Sequence, residues 1–188
     1  GGKVMQVELK VNDKSVQAEI SEEQLKKMGL FEQLKELGLV EDKPKTGYER
    51  VEKGSTYFYN YSSDDTDNDI DKKDMVDQEY YNNANYYSDK MIAENNARAD
   101  RLLRQLRRWQ AQNDKAISIS DWKNDNIFKY HIEYDCFNEL FFVTYAVRRR
   151  SLNNIYFTSE EKAKEAAGVF ADELIWYFTE YQQRLDEE

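Results

Sequence analysis

Acidic side chains crowd one short segment of this 188-residue chain. The segment 62-SSDDTDNDIDKKDMVDQE-79 carries a net charge of −6, out of −10 for the whole chain. Its carboxylates are Asp64, Asp65, Asp67, Asp69, Asp71, Asp74, Asp77 and Glu79. Carboxylates at this density can bind a cation, imitate the phosphates of a nucleic acid, or keep a solvated loop extended.

The spacing of these carboxylates argues against an EF-hand calcium loop. Such a loop needs oxygen ligands at its odd positions, glycine at position six and glutamate at position twelve. Counting from Asp65, the early ligand positions fit, but positions six and twelve are Ile70 and Val76. Counting from Asp67 puts lysine and glutamine there instead. Two interpretations stay open: a solvated loop, or an acidic surface that binds a partner.

Basic side chains concentrate in 98-RADRLLRQLRRW-109. The planar guanidinium of arginine suits both phosphates and carboxylates. At 100° per residue, the leucines of this segment fall on one side of a helix and the arginines on the other. The predicted basic surface consists of Arg98, Arg101, Arg104, Arg107 and Arg108, with Arg148, Arg149 and Arg150 as an extension if the two segments pack together. The alternative is a solvated face that pairs with nearby carboxylates.

Residues suited to catalysis are sparse. His131 is the only histidine and Cys136 the only cysteine, so a zinc site lacks ligands and a Cys–His pair would need two hairpin neighbours to converge. Strand alternation places His131 with Lys129 and Glu133 on the face that we expect to be wetter. The chain contains no glycine-rich phosphate loop. We therefore predict a non-enzymatic protein with no catalytic residue, metal site or cofactor.

The residue patterns place these charged segments on an α+β fold. Alternation in 4-VMQVELKV-11 and 15-SVQAEI-20 predicts a β-hairpin. The near-repeats 23-EQLKKMGL-30 and 32-EQLKELGL-39 predict two short helices, each ended by its own glycine. Residues 1–43 are therefore predicted to form a small N-terminal module of a hairpin and short helices.

The pattern of the remaining chain predicts two similar units, each a β-meander followed by a long helix. The second unit, predicted over 113–188, has the clearer pattern. The segments 127-IFKYHIEYD-135 and 139-ELFFVTYAV-147 predict two strands around a tight turn. A third, short strand is predicted at 154-NIYF-157. Thr158 is then predicted to cap a helix that runs from about 159 to 184.

The first unit is predicted over residues 44–112. It has a strand at 56-TYFYNYS-62 and a helix from Ser88 to about Gln112, with the acidic segment between them. Its segment 86-YYSDKMIAENNARADRLLRQL-106 matches 156-YFTSEEKAKEAAGVFADELIW-176 in outline, with an aromatic pair, a hydroxyl cap, an acid and a long helix.

Composition restricts the location and the class of partner. No apolar run reaches the length that spans a bilayer, no signal peptide opens the chain, and a single cysteine suits a reducing compartment. We therefore predict a cytoplasmic protein that does not enter membranes. The acidic total argues against simple coating of DNA, but it permits binding to a protein that itself holds nucleic acid.

Three segments carry a resemblance to known proteins: 46-TGYERVEKGSTYFY-59, 121-DWKNDNIFKYHIEYD-135 and 155-IYFTSEEKAKEA-166. They resemble small proteins encoded by phages and prophages of Gram-positive and gut bacteria. In that group a Tyr-Glu-x-Val-x-x-Gly lead precedes an aromatic strand, an acidic insertion and a Tyr-Phe-Ser/Thr motif before a helix. The resemblance covers about residues 46 to 182. It implies no catalytic residue and a location in the infected bacterial host.

The resemblance also implies a class of function. Small acidic phage proteins include inhibitors of bacterial defence, and type II anti-CRISPR proteins, which block Cas9, are similar in size and charge. The implied partner is a bacterial defence protein such as Cas9 with its guide RNA, whose basic channels would accept the acidic segment as a nucleic-acid mimic. The alternative is a nucleic-acid-binding phage accessory protein that uses the arginine-rich helix. A structural protein of the phage particle and an enzyme are the further alternatives, and the sequence does not define the oligomeric state.

Overall fold

A computed structural model of the protein describes residues 4–11, 14–39, 44–62 and 65–187. Within these residues the chain has the predicted α+β fold, with helices and antiparallel two-stranded sheets. The chain divides into two compact units, Gly1–Pro44 and Lys45–Glu188. The three predicted domains, bounded after residues 43 and 112, remain a prediction.

The predicted N-terminal hairpin and its two helices are confirmed. They are β1 (Val4–Val11), β2 (Lys14–Ser21), α1 (Glu22–Lys27) and α2 (Phe31–Glu36). Ser21 and Gln24 form a capping box at α1: the N–H of Ser21 donates to Gln24 Oε1 at 2.8 Å, and the N–H of Gln24 donates to Ser21 Oγ. The predicted hairpin turn at residues 12–13 lies outside the described residues.

Each short helix ends at its own glycine, as the near-repeat predicts. Gly29 and Gly38 have φ angles of +69° and +66°, in the left-handed region that favours glycine. After Gly29, the N–H of Leu30 reaches back to the carbonyl of Leu25 at 3.1 Å, and Leu39 makes the equivalent bond after Gly38. The two copies of the repeat therefore end in the same capping motif.

The first half of the larger unit contains β3 (Thr56–Asn60), β4 (Thr66–Ile70), α3 (Met75–Asn82) and α4 (Lys90–Asn113). The predicted N-cap of α4, Ser88, is wrong by one residue. Asp89 is the cap, and its carboxylate accepts the N–H of Ile92 at 3.1 Å. Ser88 instead donates its hydroxyl to Glu49 at 3.1 Å.

The second half contains α5 (Ile119–Trp122), β5 (Lys129–Asp135), β6 (Leu140–Ala146), α6 (Glu160–Val169) and α7 (Ala171–Thr179). The predicted continuous helix over 159–184 is wrong, because it breaks at Phe170, whose φ and ψ are −110° and 22°. The N-cap is Ser159, which accepts the N–H of Lys162 at 3.3 Å. The predicted cap, Thr158, donates its N–H to Asp114 at 2.7 Å.

A single bridge pair occurs in each half where the repeat predicts a short strand. Tyr130 and Phe157 exchange backbone hydrogen bonds of 2.9 and 2.7 Å, so the predicted strand over 154–157 is only one residue pair. Phe58 and Tyr87 make the corresponding exchange in the first half, with both bonds at 2.9 Å. These bridges hold the start of each long helix against its hairpin.

The residues around each bridge also correspond. Tyr86 and Tyr156 precede the bridges, and each phenol oxygen accepts a backbone N–H from an upstream loop, at 3.2 and 2.8 Å. Ala93 and Ala163 lie in the first turns of α4 and α6, and both are fully buried. The internal repeat therefore extends from sequence pattern to local contacts.

The helix α4 belongs to two apolar clusters. Its beginning, with Ile92 and Ala93, packs with Tyr87 and Phe58. Its end packs in the second cluster with residues from β5, α6 and α7. The buried members of this cluster are Leu102, Leu106, Phe157, Ala163, Ala166 and Leu174. Both clusters position the charged segments, because α4 carries the arginines and supports β3 and β4.

Candidate partner-binding surfaces

The acidic segment 62–79 is largely folded into β4 and α3. The strand β4 pairs with β3 in a register that places Asp67 opposite Tyr59 and Asp69 opposite Tyr57. Residues directly opposite each other in such a ladder project from the same face, so the two carboxylates share the tyrosine face of the sheet. The interpretation of this part as a solvated loop is therefore wrong.

The remainder of the segment supports α3. Asp74 is the N-cap, and its carboxylate accepts the N–H groups of Val76 at 2.9 Å and Asp77 at 3.1 Å. The side chains of Asp74 and Glu79 are exposed. Asp64 lies outside the described residues.

Asp71 is an internal residue with 0 % exposure, which corrects its predicted place on a binding surface. Its carboxylate accepts hydrogen bonds from Arg50 Nε at 3.1 Å, from Tyr86 Oη at 2.7 Å and from the N–H of Lys73 at 2.7 Å. Burial by itself raises the pKa of Asp71, but these hydrogen bonds outweigh burial and hold the pKa well below its usual value. Asp71 is therefore a buried, charged anchor.

Asp77 is also internal, at 2 % exposure, and the same correction applies. Its carboxylate accepts the phenol of Tyr57 at 3.1 Å and the N–H of Lys72 at 2.7 Å. Burial, together with the bond to Asp77, raises the pKa of Tyr57 well above its usual value, so the phenol stays protonated and donates. The Tyr57 ring stacks on Tyr86 at 4.2 Å, which joins the two buried carboxylates into one network.

The Tyr-Glu-x-Val-x-x-Gly lead, at 48–54, holds this network in place. Arg50 supplies the guanidinium for Asp71, and the N–H of Gly54 donates to the Asp71 carbonyl at 2.8 Å. Glu49 accepts the N–H of Thr46 at 2.6 Å, and also the Thr46 hydroxyl at 2.7 Å. The lead therefore stabilises the acidic segment through the bonds of Arg50 and Gly54 to Asp71.

We expect Glu49→Gln to lower the free energy of unfolding by about 1 kcal/mol at neutral pH, because a neutral amide accepts these bonds less strongly at an exposed, screened site. Burial raises the pKa of Glu49, but the bonds from Thr46 and Ser88 outweigh it and lower the pKa to about 2. The unfolded value is about 4.3, so the stabilisation is present above that pH and is lost as pH falls toward 2.

Urea unfolding of the native protein and Glu49→Gln across this pH range measures the effect. The matched control is Glu52→Gln, which removes an exposed carboxylate three positions later. A difference in stability between Glu49→Gln and the native protein that does not shrink at low pH would contradict the assignment.

With Asp71 and Asp77 buried, the exposed carboxylates of the segment form a smaller acidic surface. Asp65 lies just before β4, and its carbonyl accepts the N–H of Tyr61 at 3.0 Å, which continues the hairpin ladder. Lys72 approaches Asp69 at 3.7 Å and partly offsets its charge. The acidic surface comprises Asp65, Asp67, Asp69, Asp74 and Glu79.

The arginines of α4 divide into bound and exposed groups. Arg98 forms a two-pronged pair with Glu173, with its Nε at 3.0 Å, and it stacks over the Trp176 ring at 3.9 Å. Arg98 therefore connects α4 to α7. Arg101 is half-buried. The exposed members are Arg104, Arg107 and Arg108.

The second arginine group is likewise divided. Arg148 pairs with Asp125, and Arg150 lies 5.5 Å from the ring of Trp122. Arg149 is exposed. The predicted joining of this group with the α4 arginines stays a prediction.

His131 is buried at 6 % exposure and Lys129 at 0 %, so the prediction that they lie on a wetter strand face is wrong. Trp122, from α5, lies 5.1 Å from Lys129 Nζ and covers this face together with Tyr156. His131 Nε2 is 2.8 Å from Glu133, and the buried Nδ1 has no partner among the described residues. Cys136 is exposed in the hairpin turn.

Sequence patterns also miss a partly open pocket of about 460 Å³ between α4, β5, α7 and the loop at 152–155. Glu133 is the charged residue in its lining, and Leu103, Ile155 and Phe178 contribute apolar surface. No spacing rule could reveal the pocket, because it forms where elements far apart in the chain meet.

Within residues 4–11, 14–39, 44–62 and 65–187, no cluster of three or more histidine, cysteine or acidic side chains is arranged to hold a metal ion. None of the helices in those residues has both the length and the apolar character needed to cross a bilayer. Comparisons with protein-family models, with curated proteins and with solved structures find no match. The resemblance to phage proteins remains a prediction.

Proposed function

We propose that this protein is a non-catalytic inhibitor that binds a basic, nucleic-acid-handling protein through its acidic surface in the cytoplasm of an infected bacterial host. Cas9 with its guide RNA is the most concrete target. The observation that carries the proposal is the row of Asp65, Asp67 and Asp69, which are exposed at every second position along an ordered hairpin.

The spacing of this row supports a nucleic-acid mimic. A strand rises by about 3.3 Å per residue, so alternate carboxylates follow one another at about 6.6 Å. The phosphates of one DNA strand rise by about 3.4 Å each along the helix axis and also turn around it, so neighbouring phosphates lie further apart than this rise. The row therefore resembles a short run of neighbouring phosphates. Cas9 holds its guide–target duplex in a positively charged channel that recognises backbone shape, which is the kind of surface such a row fits.

The carboxylates of the row are held in fixed positions in the folded protein, and this also favours binding. The buried anchors Asp71 and Asp77 and the pairing of β4 with β3 hold the carboxylates in place before a partner arrives. A surface that is already ordered loses less conformational entropy on binding than a flexible loop does. Tyr59, which is half-buried, and Tyr61, which is 78 % exposed, lie beside the row and can supply the apolar contact that charge alone lacks, because tyrosine is enriched in binding surfaces.

The test is a Cas9 cleavage assay with the native protein and with the triple variant Asp65→Asn, Asp67→Asn and Asp69→Asn. We expect the native protein to inhibit cleavage and the triple variant to be about 10- to 100-fold less potent, because three charge contacts are lost while the shapes of the side chains are kept.

The matched control carries Glu36→Gln, Asp172→Asn and Glu180→Gln, which remove the same charge from exposed sites on α2, on α7 and just after α7. It should inhibit like the native protein. Equal potency of the two triple variants would overturn the role of the row, and lack of both inhibition and binding with every Cas9 tested would overturn the proposed target.

A second function, direct binding to nucleic acid, is favoured by the exposed arginines of α4. Arg104, Arg107 and Arg108 form no ion pair within the described chain, and their guanidinium groups suit phosphates. This function predicts that Arg104→Gln, Arg107→Gln and Arg108→Gln together reduce the affinity for RNA or DNA and flatten its salt dependence, while the aspartate variants bind normally.

A further inference from the structure

Within the part of the chain that the structure describes, β6 has one edge paired with β5 and one edge without a partner strand. Tyr130 of β5 exchanges both of its backbone bonds with Phe157, so its pairing with Tyr145 of β6 is of the non-hydrogen-bonded type. It follows from the alternation of an antiparallel ladder that the N–H and C=O groups of Phe141, Val143 and Tyr145 point away from β5. Among the described residues, none forms a backbone hydrogen bond with these outward groups.

This free edge lacks the features that normally prevent strand pairing. The sequence 140-LFFVTYA-146 contains no charged residue and no proline, and Tyr145 is 55 % exposed. By contrast, β4 also has a free edge, but it carries Asp67 and Asp69, and charged side chains protect an edge from pairing. The two hairpins of the larger unit therefore differ in how their edges are protected.

We propose that β6 pairs antiparallel with β6 of a second molecule of this protein, in a register centred on Val143. In that register Phe141 lies opposite Tyr145 of the other molecule, and Tyr145 lies opposite its Phe141. All the outward N–H and C=O groups then meet partners. Phe142 faces Thr144 and Leu140 faces Ala146, so the seven-residue ladder contains no unfavourable pair.

The charges at the two ends of β6 favour this partner. The turn before β6 is acidic, with Asp135 and Glu139, and the segment after it is basic, with Arg149 and Arg150 beyond the Arg148–Asp125 pair. An antiparallel arrangement of two identical strands brings the acidic end of each molecule to the basic end of the other. A second molecule is therefore complementary in backbone, side chains and charge.

The pairing would also extend the sheet. In the single chain the β5–β6 hairpin has only two strands, and the helices packed on one face support it. Joining two molecules produces a continuous sheet in the order β5–β6–β6–β5 and covers Leu140, Phe142 and Tyr145, which are 48 %, 39 % and 55 % exposed in the single chain.

The first experiment uses the native chain. Sedimentation velocity from about 1 µM to about 200 µM should show a monomer–dimer equilibrium. Hydrogen exchange over the same range should show protection at the amides of Phe141, Val143 and Tyr145 that grows with concentration. The amides of Phe142 and Thr144 already bond to β5 and serve as controls within the strand. A monomer at every concentration, or protection that grows elsewhere instead, would overturn the proposal.

The second experiment separates the backbone from the side chain at one position. Tyr145→Pro removes an outward N–H without removing a bond to β5, and it should raise the dimer dissociation constant by about 30-fold or more. Tyr145→Ala keeps the N–H, and we expect a change below about 10-fold. Equal effects of the two variants would overturn the proposed pairing. If Tyr145→Pro fails to fold, hydrogen exchange in the native protein still decides.

Discussion

Asp71→Asn is expected to lower the free energy of unfolding by about 2–4 kcal/mol, because it leaves the half-buried Arg50 guanidinium without its counter-charge. Arg50 already has one buried donor, Nη2, with no partner among the described residues, so it has little capacity to compensate. The asparagine offers one acceptor oxygen in place of two, so either Arg50 and Tyr86 at one oxygen or the N–H of Lys73 at the other loses its acceptor. Chemical denaturation, followed by circular dichroism, measures the loss.

The matched control is Asp69→Asn, two positions earlier on the exposed side of the same segment. It should change the stability by less than about 0.5 kcal/mol. The two substitutions alter the same side chain in the same way, so the difference between them reports burial. A loss below about 1 kcal/mol for Asp71→Asn would contradict the anchoring role.

The same network predicts a pH dependence. The pKa of Asp71 is lower in the folded protein than the value of about 3.9 expected for the unfolded chain. Its stabilisation is therefore fully present above that pH and is lost as pH falls through the folded-state pKa. The native protein should lose stability in acid more steeply than Asp71→Asn, and parallel acid curves would contradict this expectation.

Gly47→Ala should be nearly as damaging, with a loss of about 3 kcal/mol in the free energy of unfolding. Gly47 has φ of +92°, which disfavours any residue with a Cβ. A Cβ there would also lie 2.7 Å from Cγ1 of Ile92, a fully buried residue at the start of α4. Backbone strain and a steric clash therefore add together.

Gly54→Ala separates these two causes. Gly54 has nearly the same φ, +93°, but a Cβ there would meet nothing within 4 Å. We expect this control to lose about 1 kcal/mol, from backbone strain alone. In an Ile92→Ala background the contacts with Cγ1 and Cγ2 disappear, but a 3.0 Å contact with the Cβ of residue 92 remains. Gly47→Ala should then cost less than in the native protein and still somewhat more than Gly54→Ala. A Gly47→Ala cost that Ile92→Ala does not reduce would contradict the clash.

Local patterns predicted the elements whose causes are local. The alternation of β1 and β2, the capping box at Ser21 and the glycine ends of α1 and α2 each depend on residues a few positions apart. The sequence pattern does not reveal the break at Phe170, because the apolar spacing of three and four continues through it.

The candidate site was only partly predictable, because burial depends on residues far away in the chain. Asp69 and Asp71 look alike in sequence, and only the approach of Arg50 and Tyr86 makes one of them internal. His131 was misplaced for a similar reason. The alternation pattern predicts which residues share a strand face, but it cannot predict that Trp122 covers that face.

The two-cluster position of α4 has a consequence for the way the larger unit unfolds. The helix spans 24 residues, about 36 Å, and contributes buried residues to both apolar clusters. Neither cluster can lose its packing while α4 stays fully supported, so local opening in one half propagates to the other. Residues 45–187 should therefore unfold in one cooperative transition. Gly47→Ala should then also shift the unfolding transition that is followed by the fluorescence of Trp109 and Trp176 in the opposite half.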